Sequence, residues 1–197
     1  MAFLRSVTAL EPPAILQGAG VYLRLPTQND YVPWAELRAR SRNFLMPWEP
    51  AWANDELTRG AYRRRLRQYQ KELRDETGYA FFVFRSADQR LVGGVSLTNV
   101  RRGVTQACTM GYWMGEPFAG QGYMTEAVRT LRPFVFSHLW LHRLEAACLP
   151  ENTGSIRVLE KNGFVHEGLA SRYLKINGAW QDHYLFGLVS DTPSRLF

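Results

Sequence analysis

The apolar residues of this chain change their period along its length, and the order of those changes restricts the fold more than any single motif. Val21-Tyr22-Leu23-Arg24-Leu25 alternates, as a strand with one buried face does. Helical spacing follows over about 30–40, with Thr27, Asn29 and Asp30 as candidate caps, and returns over about 55–75 in an Arg- and Glu-rich stretch that Gly78 closes. Between them, 42–50 reads as an aromatic loop, because Pro47 and Pro50 interrupt a regular helix. Strands are expected at 80–84, 91–99 and 106–114, the first two joined by a turn at 86–89. Ala127, Val128, Leu131 and Val135 give 124–139 a helical stripe. A strand at 144–149 and a short helix at 152–161 follow, the helix closed by Asn162-Gly163. The chain ends in a hairpin of 165–176 with 179–188 about Asn177-Gly178. The order β-α-α-β-β-β-α-β-α-β-β combines hairpins with crossovers, which calls for an α+β domain with a mixed sheet of about seven strands and about four helices.

At 197 residues the expectation is one domain, 1–197, with its core at about 21–188. A hydrophobic content of 46% and a charged content of 21% are those of a globular chain, which excludes collagen-like and disordered classes. No apolar run approaches the ~18–20 residues of a membrane span, and 1–20 holds no apolar stretch of signal-peptide length before Glu11-Pro12-Pro13. The expected compartment is therefore the cytoplasm, with no membrane partner. Cys108 and Cys148 show no metal-ligand spacing and read as small core residues. His138 and His142 are four apart, but no Glu follows His138, so they are not read as metal ligands.

The net charge of +6 rests on 21 Arg and only 3 Lys, densest at Arg63-Arg64-Arg65-Leu66-Arg67. A GC-rich genome produces that bias without function. Arginine also suits bidentate contacts to phosphate, so nucleic acid, a ribosome or a polyphosphate ligand all stay open as partners.

The segment that carries chemistry follows the strand at 106–114. It reads Gly115-Glu116-Pro117-Phe118-Ala119-Gly120-Gln121-Gly122-Tyr123-Met124-Thr125-Glu126-Ala127. A glycine-rich turn between a strand and a helix start aims several backbone N–H groups at one anion, and the helix N-terminus adds positive potential. A tight turn is the plainer reading of the same glycines. A P-loop is excluded because no lysine lies near, and a dinucleotide fold would place the loop after the first strand.

With its strand, this segment resembles the GNAT N-acetyltransferases, whose fourth strand leads into an Arg/Gln-x-x-Gly-x-Gly/Ala loop. Gly122 takes the central glycine; Ala119 stands where Arg or Gln is usual and Met124 where Gly or Ala is usual. Further pieces are similar to the RimJ/RimL branch, and most of all to its RimJ members. They are Asn43-Phe44-Leu45-Met46-Pro47-Trp48-Glu49-Pro50, Asn152-x-x-Ser155, Leu159-x-x-x-Gly163-Phe164, Glu167-Gly168 and Asn177-Gly178-x-Trp180-x-Asp182-His183. The likeness runs over about 21–188.

The resemblance implies a GNAT fold whose mostly antiparallel sheet splays between its fourth and fifth strands, here 106–114 and 144–149. It implies acetyl-CoA as co-substrate, no metal, and direct attack of an amine through a tetrahedral intermediate. Ala119, Gly120, Gln121, Gly122, Tyr123, Met124 and Thr125 would hold the pyrophosphate, and a backbone N–H near Met114 would face the oxyanion. Asn152 would bond pantetheine or acceptor and Ser155 the sulfur; helix capping is the alternative for Asn152. Leu159 stands where many members carry an acidic tyrosine, which leaves Ser155 or a water it holds as the proton source. Arg157 and Lys161 read as a solvated helix face within reach of ligand phosphates.

On the amine side an α-amino group has pKa ~7.7–8.0 and lysine ~10.4, so an N-terminal acceptor needs only a modest base. Glu49 is the first candidate and Glu116 the second, each with a structural reading beside it. His183 would hold acceptor or water, and Phe44, Trp48 and Tyr173 would wall the acceptor slot. The implied partner is a protein N-terminus, a ribosomal protein beginning with alanine. A small amine such as an antibiotic or polyamine is the second reading. A non-catalytic RNA-binding module using Arg63–Arg67 is the third. Oligomeric state is open.

Overall fold

The run Ala80-Phe81-Phe82-Val83-Phe84 does not alternate because both of its faces are covered. In the computed structural model, which describes residues 15–190, it forms strand β3 (Tyr79–Arg85). Tyr79, Phe81 and Val83 enter one core with Val128 and Leu131, and Phe82 and Phe84 enter a second with Trp34, Tyr62 and Leu66. A sheet with helices on both faces follows directly.

The described strands are β1 (Leu16–Gln17), β2 (Val21–Arg24), β3, β4 (Leu91–Arg101), β5 (Ala107–Met114), β6 (Arg143–Cys148), β7 (Val165–Ile176) and β8 (Ala179–Val189). They form one sheet in the order β1-β2-β3-β4-β5-β6-β8-β7. Every neighbouring pair is antiparallel except β5 with β6. The helices are α1 (Tyr31–Arg40), α2 (Arg42–Leu45), α3 (Arg59–Arg74), α4 (Tyr123–Pro133) and α5 (Thr153–Lys161). The α+β reading holds, with eight strands and five helices instead of about seven and four.

Both additions are too short to leave a period. β1 is a two-residue pairing with β2. In 42–50, read as a loop, Arg42–Leu45 makes one α-helical turn and Met46–Trp48 one 3-10 turn. Pro47 sits in the first turn of that 3-10 segment, where its missing N–H costs nothing. The stripe at 124–139 also divides. α4 stops at Pro133 and a π-helical turn, Phe134–His138, takes over, with Leu139 N–H reaching back to Phe134 O at 2.8 Å. Proline has no N–H to give the carbonyl four residues back, so the ladder widens there.

α3 shows how an Arg-rich segment folds. Thr58 caps it by accepting from Ala61 N–H at 3.2 Å. Tyr62 and Leu66, one turn apart, are its buried face, and the arginines stay outside. Two of them meet acids just before the helix: Arg64 pairs with Asp55 and Arg65 with Glu56. Arg63 and Arg67 are exposed. The Arg63–Arg67 run is thus half engaged in holding the helix entry. Cys108 and Cys148 are buried and unbonded to each other; burial pushes their thiols up, to about 12 and about 11. No helix among the described residues is long and apolar enough to cross a membrane.

Candidate active site

β5 and β6 run parallel and pair only from Ala107↔Arg143 to Met110↔Ala146. Beyond that level β5 continues for Gly111–Met114 beside β4 alone. The ladder alternation shows which of its backbone groups face the gap. Gly115 N–H donates to Val92 O at 2.8 Å, which makes 92/115 a bonded pair and Gly93↔Met114 and Val95↔Tyr112 non-bonded ones. The N–H and C=O groups of Tyr112 and Met114 therefore turn away from β4, toward the side β6 has left. A cleft of about 450 Å3 occupies that side, and Tyr112 and Met114 line it.

One end of the cleft is the glycine-rich turn. Its frame is tied down: Glu116 N–H donates to the buried Ser41 Oγ (2.9 Å), and Gln121 Nε2 donates to Pro117 O (2.9 Å). Gly120 and Gly122 adopt φ of 73° and 85°, the left-handed region that glycine tolerates. A Cβ at either would meet no protein atom within 4 Å, so the space above the turn is open. Gly122 is the N-cap of α4 and provides no side-chain bond to the helix start. The first intrahelical bond is Glu126 N–H to Gly122 O (3.0 Å), which leaves the N–H groups of Tyr123, Met124 and Thr125 without helical acceptors. Arg157 and Lys161 line the same cleft from α5, and neither forms an ion pair among the described residues. Free N–H groups, a helix N-terminus and two cations fit a pyrophosphate at this end.

The middle of the cleft belongs to the start of α5. Asn152 is the N-cap: its Oδ1 accepts from Ser155 N–H at 3.0 Å. The Tyr112 hydroxyl donates to Ser155 O at 3.3 Å. With both backbone groups held, the Ser155 hydroxyl has no partner among the described residues and borders the cleft. Burial pushes the Tyr112 phenol well up, so it serves as an anchor for α5 and not as an acid. Cys148 also lines the cleft, with its raised thiol.

The other end is apolar. Phe44, Leu45 and Trp48 reach it from the segment after α1, and Leu174 and Ile176 from β7. Glu49 lines this end with its charge already committed. Its two oxygens accept from Arg38 Nη1 (2.9 Å) and Nη2 (2.6 Å), and Trp52 Nε1 adds a third bond at 2.8 Å. The Arg38 side chain is 7% exposed, and its guanidinium lies over Trp52 (4.5 Å) and Trp113 (5.1 Å). Glu49 O also accepts from Asn177 N–H at 2.9 Å, joining this wall to the β7–β8 turn. His183, 2% exposed, faces the cleft from β8, and its Nδ1 lies 2.9 Å from Gln181 O.

The structure thus brings together most of the residues singled out from sequence: Met114, Ala119, Gly120, Gly122, Tyr123, Met124, Thr125, Asn152, Ser155, Phe44, Trp48, Glu49 and His183 all line one cleft. Two expectations need correction. Tyr173 does not wall the slot; it is about half exposed and touches His183 edge-on at 5.9 Å, while Leu174 and Ile176 hold the place expected of it. The β7 register shifts between Ala170 and Leu174, which changes the face each residue presents. The Gln121 side chain folds back on the turn instead of lining the cleft. Glu116 lies outside the lining, in the turn, where its structural reading put it. Sequence reasoning missed Arg38 and Trp52, whose link to Glu49 has no local signal. Arg157 and Lys161, expected on a solvated helix face within reach of ligand phosphates, are exposed and border the cleft.

Comparison with known proteins agrees with this geometry. The family described as acetyltransferase (GNAT) domain matches residues 21–165. The probable N-acetyltransferase YjcK of Bacillus subtilis (strain 168) is 38% identical over 176 residues, 89% of this chain and 97% of that protein. The [ribosomal protein uS5]-alanine N-acetyltransferase of Escherichia coli (strain K12) is 31% identical over 175 residues, 88% of this chain and 90% of that protein. Among solved structures, Mycobacterium smegmatis RimJ in complex with CoA-disulfide superposes with a TM-score of 0.82 at 32% identity, covering 87% of this chain and 82% of that one. The chain belongs to the GNAT N-acetyltransferase family.

Proposed function

We propose that this GNAT enzyme transfers the acetyl group of acetyl-CoA to the α-amino group of a protein N-terminus, and that its acceptor is a ribosomal protein beginning with alanine. One observation carries the reading. A single cleft joins an anion cradle, the open β5 edge and an apolar slot whose one carboxylate, Glu49, is already neutralised by Arg38. A polyamine or aminoglycoside would call for free carboxylates there. A small apolar first residue carrying one amine fits the slot without them.

Gly120, Gly122 and the N–H groups of Tyr123, Met124 and Thr125 would hold the pyrophosphate, with Arg157 and Lys161 adding charge. The Tyr112 and Met114 backbone would pair the pantetheine arm, and Met114 N–H would stabilise the developing oxyanion. Acetyl-CoA, when bound, supplies the activated thioester. The Ser155 hydroxyl, its backbone fixed by Asn152 and Tyr112, would pass a proton toward the leaving sulfur. Likeness to the [ribosomal protein uS5]-alanine N-acetyltransferase supports the choice of alanine. This reading places the protein in the cytoplasm with its ribosomal partner; exposed Arg63 and Arg67 would favour approach to an RNA-rich surface. The whole of 1–197 is read as one catalytic domain.

Mass spectrometry of an alanine-starting peptide incubated with acetyl-CoA tests the proposal. Beside it runs the same peptide with a blocked N-terminus and a free lysine. Acetylation of the unblocked peptide alone is expected. Modification of neither, or a clear preference for a polyamine, would move the function to a small-molecule amine.

A further inference from the structure

We infer that His183 is the general base that frees the acceptor amine, with Nε2 as the atom that takes the proton. The inference rests on the reading of the cleft as an acetyl-transfer site, and it starts from tautomer chemistry. A carbonyl oxygen can only accept, so the 2.9 Å contact from Nδ1 to Gln181 O puts a proton on Nδ1. In the neutral ring Nε2 then carries the lone pair. That nitrogen has no partner among the described residues, although the residue is 2% exposed and lines the cleft. A buried imidazole with one nitrogen fixed and the other open toward a ligand space is arranged to exchange a proton there.

Its place in the sheet supports this. Tyr184 on β8 pairs with Cys148, the last residue of β6. His183 is the next position along and so stands level with Leu149, where β6 has already parted from β5. Tyr184 packs against the core that holds α4 and α5. Strand alternation turns His183 to the opposite face of the sheet, the face of Phe44 and Trp48. An amine entering the apolar slot toward the open β5 edge would pass this nitrogen.

The surrounding charged and titratable groups do not compete for the role. Tyr173 on β7 meets the ring edge-on. Asp182, next in the chain, accepts from Arg172 N–H at 2.7 Å. Across the cleft Glu49 is held by Arg38 and Trp52, and Tyr112 gives its proton to Ser155 O. Cys148, at the end of β6, is pushed up to about 11 by burial.

The protons balance. Nε2 takes one from the α-ammonium; the freed nitrogen lone pair forms the N–C bond to the thioester carbonyl, whose π electrons move onto the oxygen facing Met114 N–H. Their return breaks the C–S bond. The second proton leaves nitrogen for sulfur by way of the Ser155 hydroxyl, and imidazolium releases the first to solvent.

The experiment compares wild type, His183→Asn and His183→Gln on the alanine-starting peptide from pH 6 to 9, with acetyl-CoA affinity measured separately by calorimetry. Asn keeps a donor where Nδ1 sits, so it preserves the strand bond. Both variants should lose roughly 100-fold in kcat/KM at pH 7. The gap should narrow to about 10- to 20-fold at pH 9, because the free fraction of an α-amine of pKa ~7.7–8.0 rises about six- to tenfold over that range. Acetyl-CoA affinity should stay within about twofold. In parallel, 15N NMR of the wild-type imidazole should show the proton on Nδ1, and the Nε2 resonance should move when peptide is added. A gap that is constant across pH, variants as active as wild type, or an Nε2 resonance indifferent to peptide would overturn the assignment, and the NMR arm decides if the variants do not fold. Wild type that ignores the peptide but acetylates a small amine would end the N-terminal reading alone; the same pH series on that amine then decides the base. Wild type inactive on every amine would overturn both.

Discussion

Glu49→Gln separates a charge that holds the wall from a charge that does chemistry. Glu49 accepts three hydrogen bonds, two from Arg38 and one from Trp52. Gln keeps one acceptor oxygen and turns an amide N–H toward a guanidinium N–H, so at least one of these bonds becomes a donor facing a donor. Arg38 cannot compensate. Its side chain is 7% exposed, and its Nε is buried without a partner. Breaking a buried pair from one side costs ~3–5 kcal/mol. Glu49, at 19% exposure, retains some solvent, so about 3 kcal/mol is expected. At ~2–4 °C per kcal/mol for a chain of this size, the melting temperature should fall by about 6–12 °C. The kinetic consequence is a wall that no longer presents Phe44 and Trp48 steadily. Acceptor KM should rise severalfold, and the acidic limb of the kcat profile should survive. Scanning calorimetry and peptide kinetics across pH read both effects. A melting temperature unchanged within a degree, with kcat down 100-fold and the acidic limb gone, would refute the argument and return Glu49 to the role of base.

Three other outcomes are expected. Gly122→Ala places a Cβ in the open space above the turn at φ 85°; the left-handed conformation costs ~1–2 kcal/mol, and acetyl-CoA affinity measured by calorimetry should fall at least tenfold, so unchanged affinity would remove the turn from the site. Ser155→Ala leaves both backbone bonds of that residue in place, so kcat should drop about 10- to 100-fold at constant acetyl-CoA affinity; full activity would leave the proton to water or another group. Asp30→Asn tests a structural charge. Burial opposes ionisation of Asp30, yet Arg24 and the N–H and hydroxyl of Thr27 outweigh it and hold the carboxyl below its ordinary range. A depressed carboxyl stabilises the fold above its unfolded pKa of ~3.9 and loses that effect as pH falls through the folded value. The urea-unfolding gap between wild type and Asp30→Asn should therefore be full at pH 7 and shrink below about pH 4; a gap independent of pH would assign it to packing.

The elements that sequence made legible are those whose information is local. Short β-rich runs bounded by turns, alternating in β2 and continuously apolar in β3, placed β2 to β8, and the stripe of Ala127, Val128 and Leu131 placed α4, because burial is written into neighbouring residues. Gly120 and Gly122 stood out for the same reason: their backbone angles demand glycine. What stayed hidden depends on partners far apart in the chain. The carboxylate of Glu49 is held by Arg38, eleven residues earlier, and its backbone carbonyl by Asn177, in the β7–β8 turn. Neither contact has a spacing rule. The face of Tyr173 was misread because the β7 register shifts just before Leu174, and one displaced residue exchanges inside for outside. His183 shows the converse. Its residue type and position in the hairpin were visible; the contact from Nδ1 to Gln181 O, two residues back on the same strand, has no signature in residue type, and the burial around the ring exists only once β8 lies against β6 and β7. The glutamate that sequence put first as base becomes a strut, and the histidine expected only to hold acceptor or water becomes the candidate base, because one finds its counter-charge and the other does not.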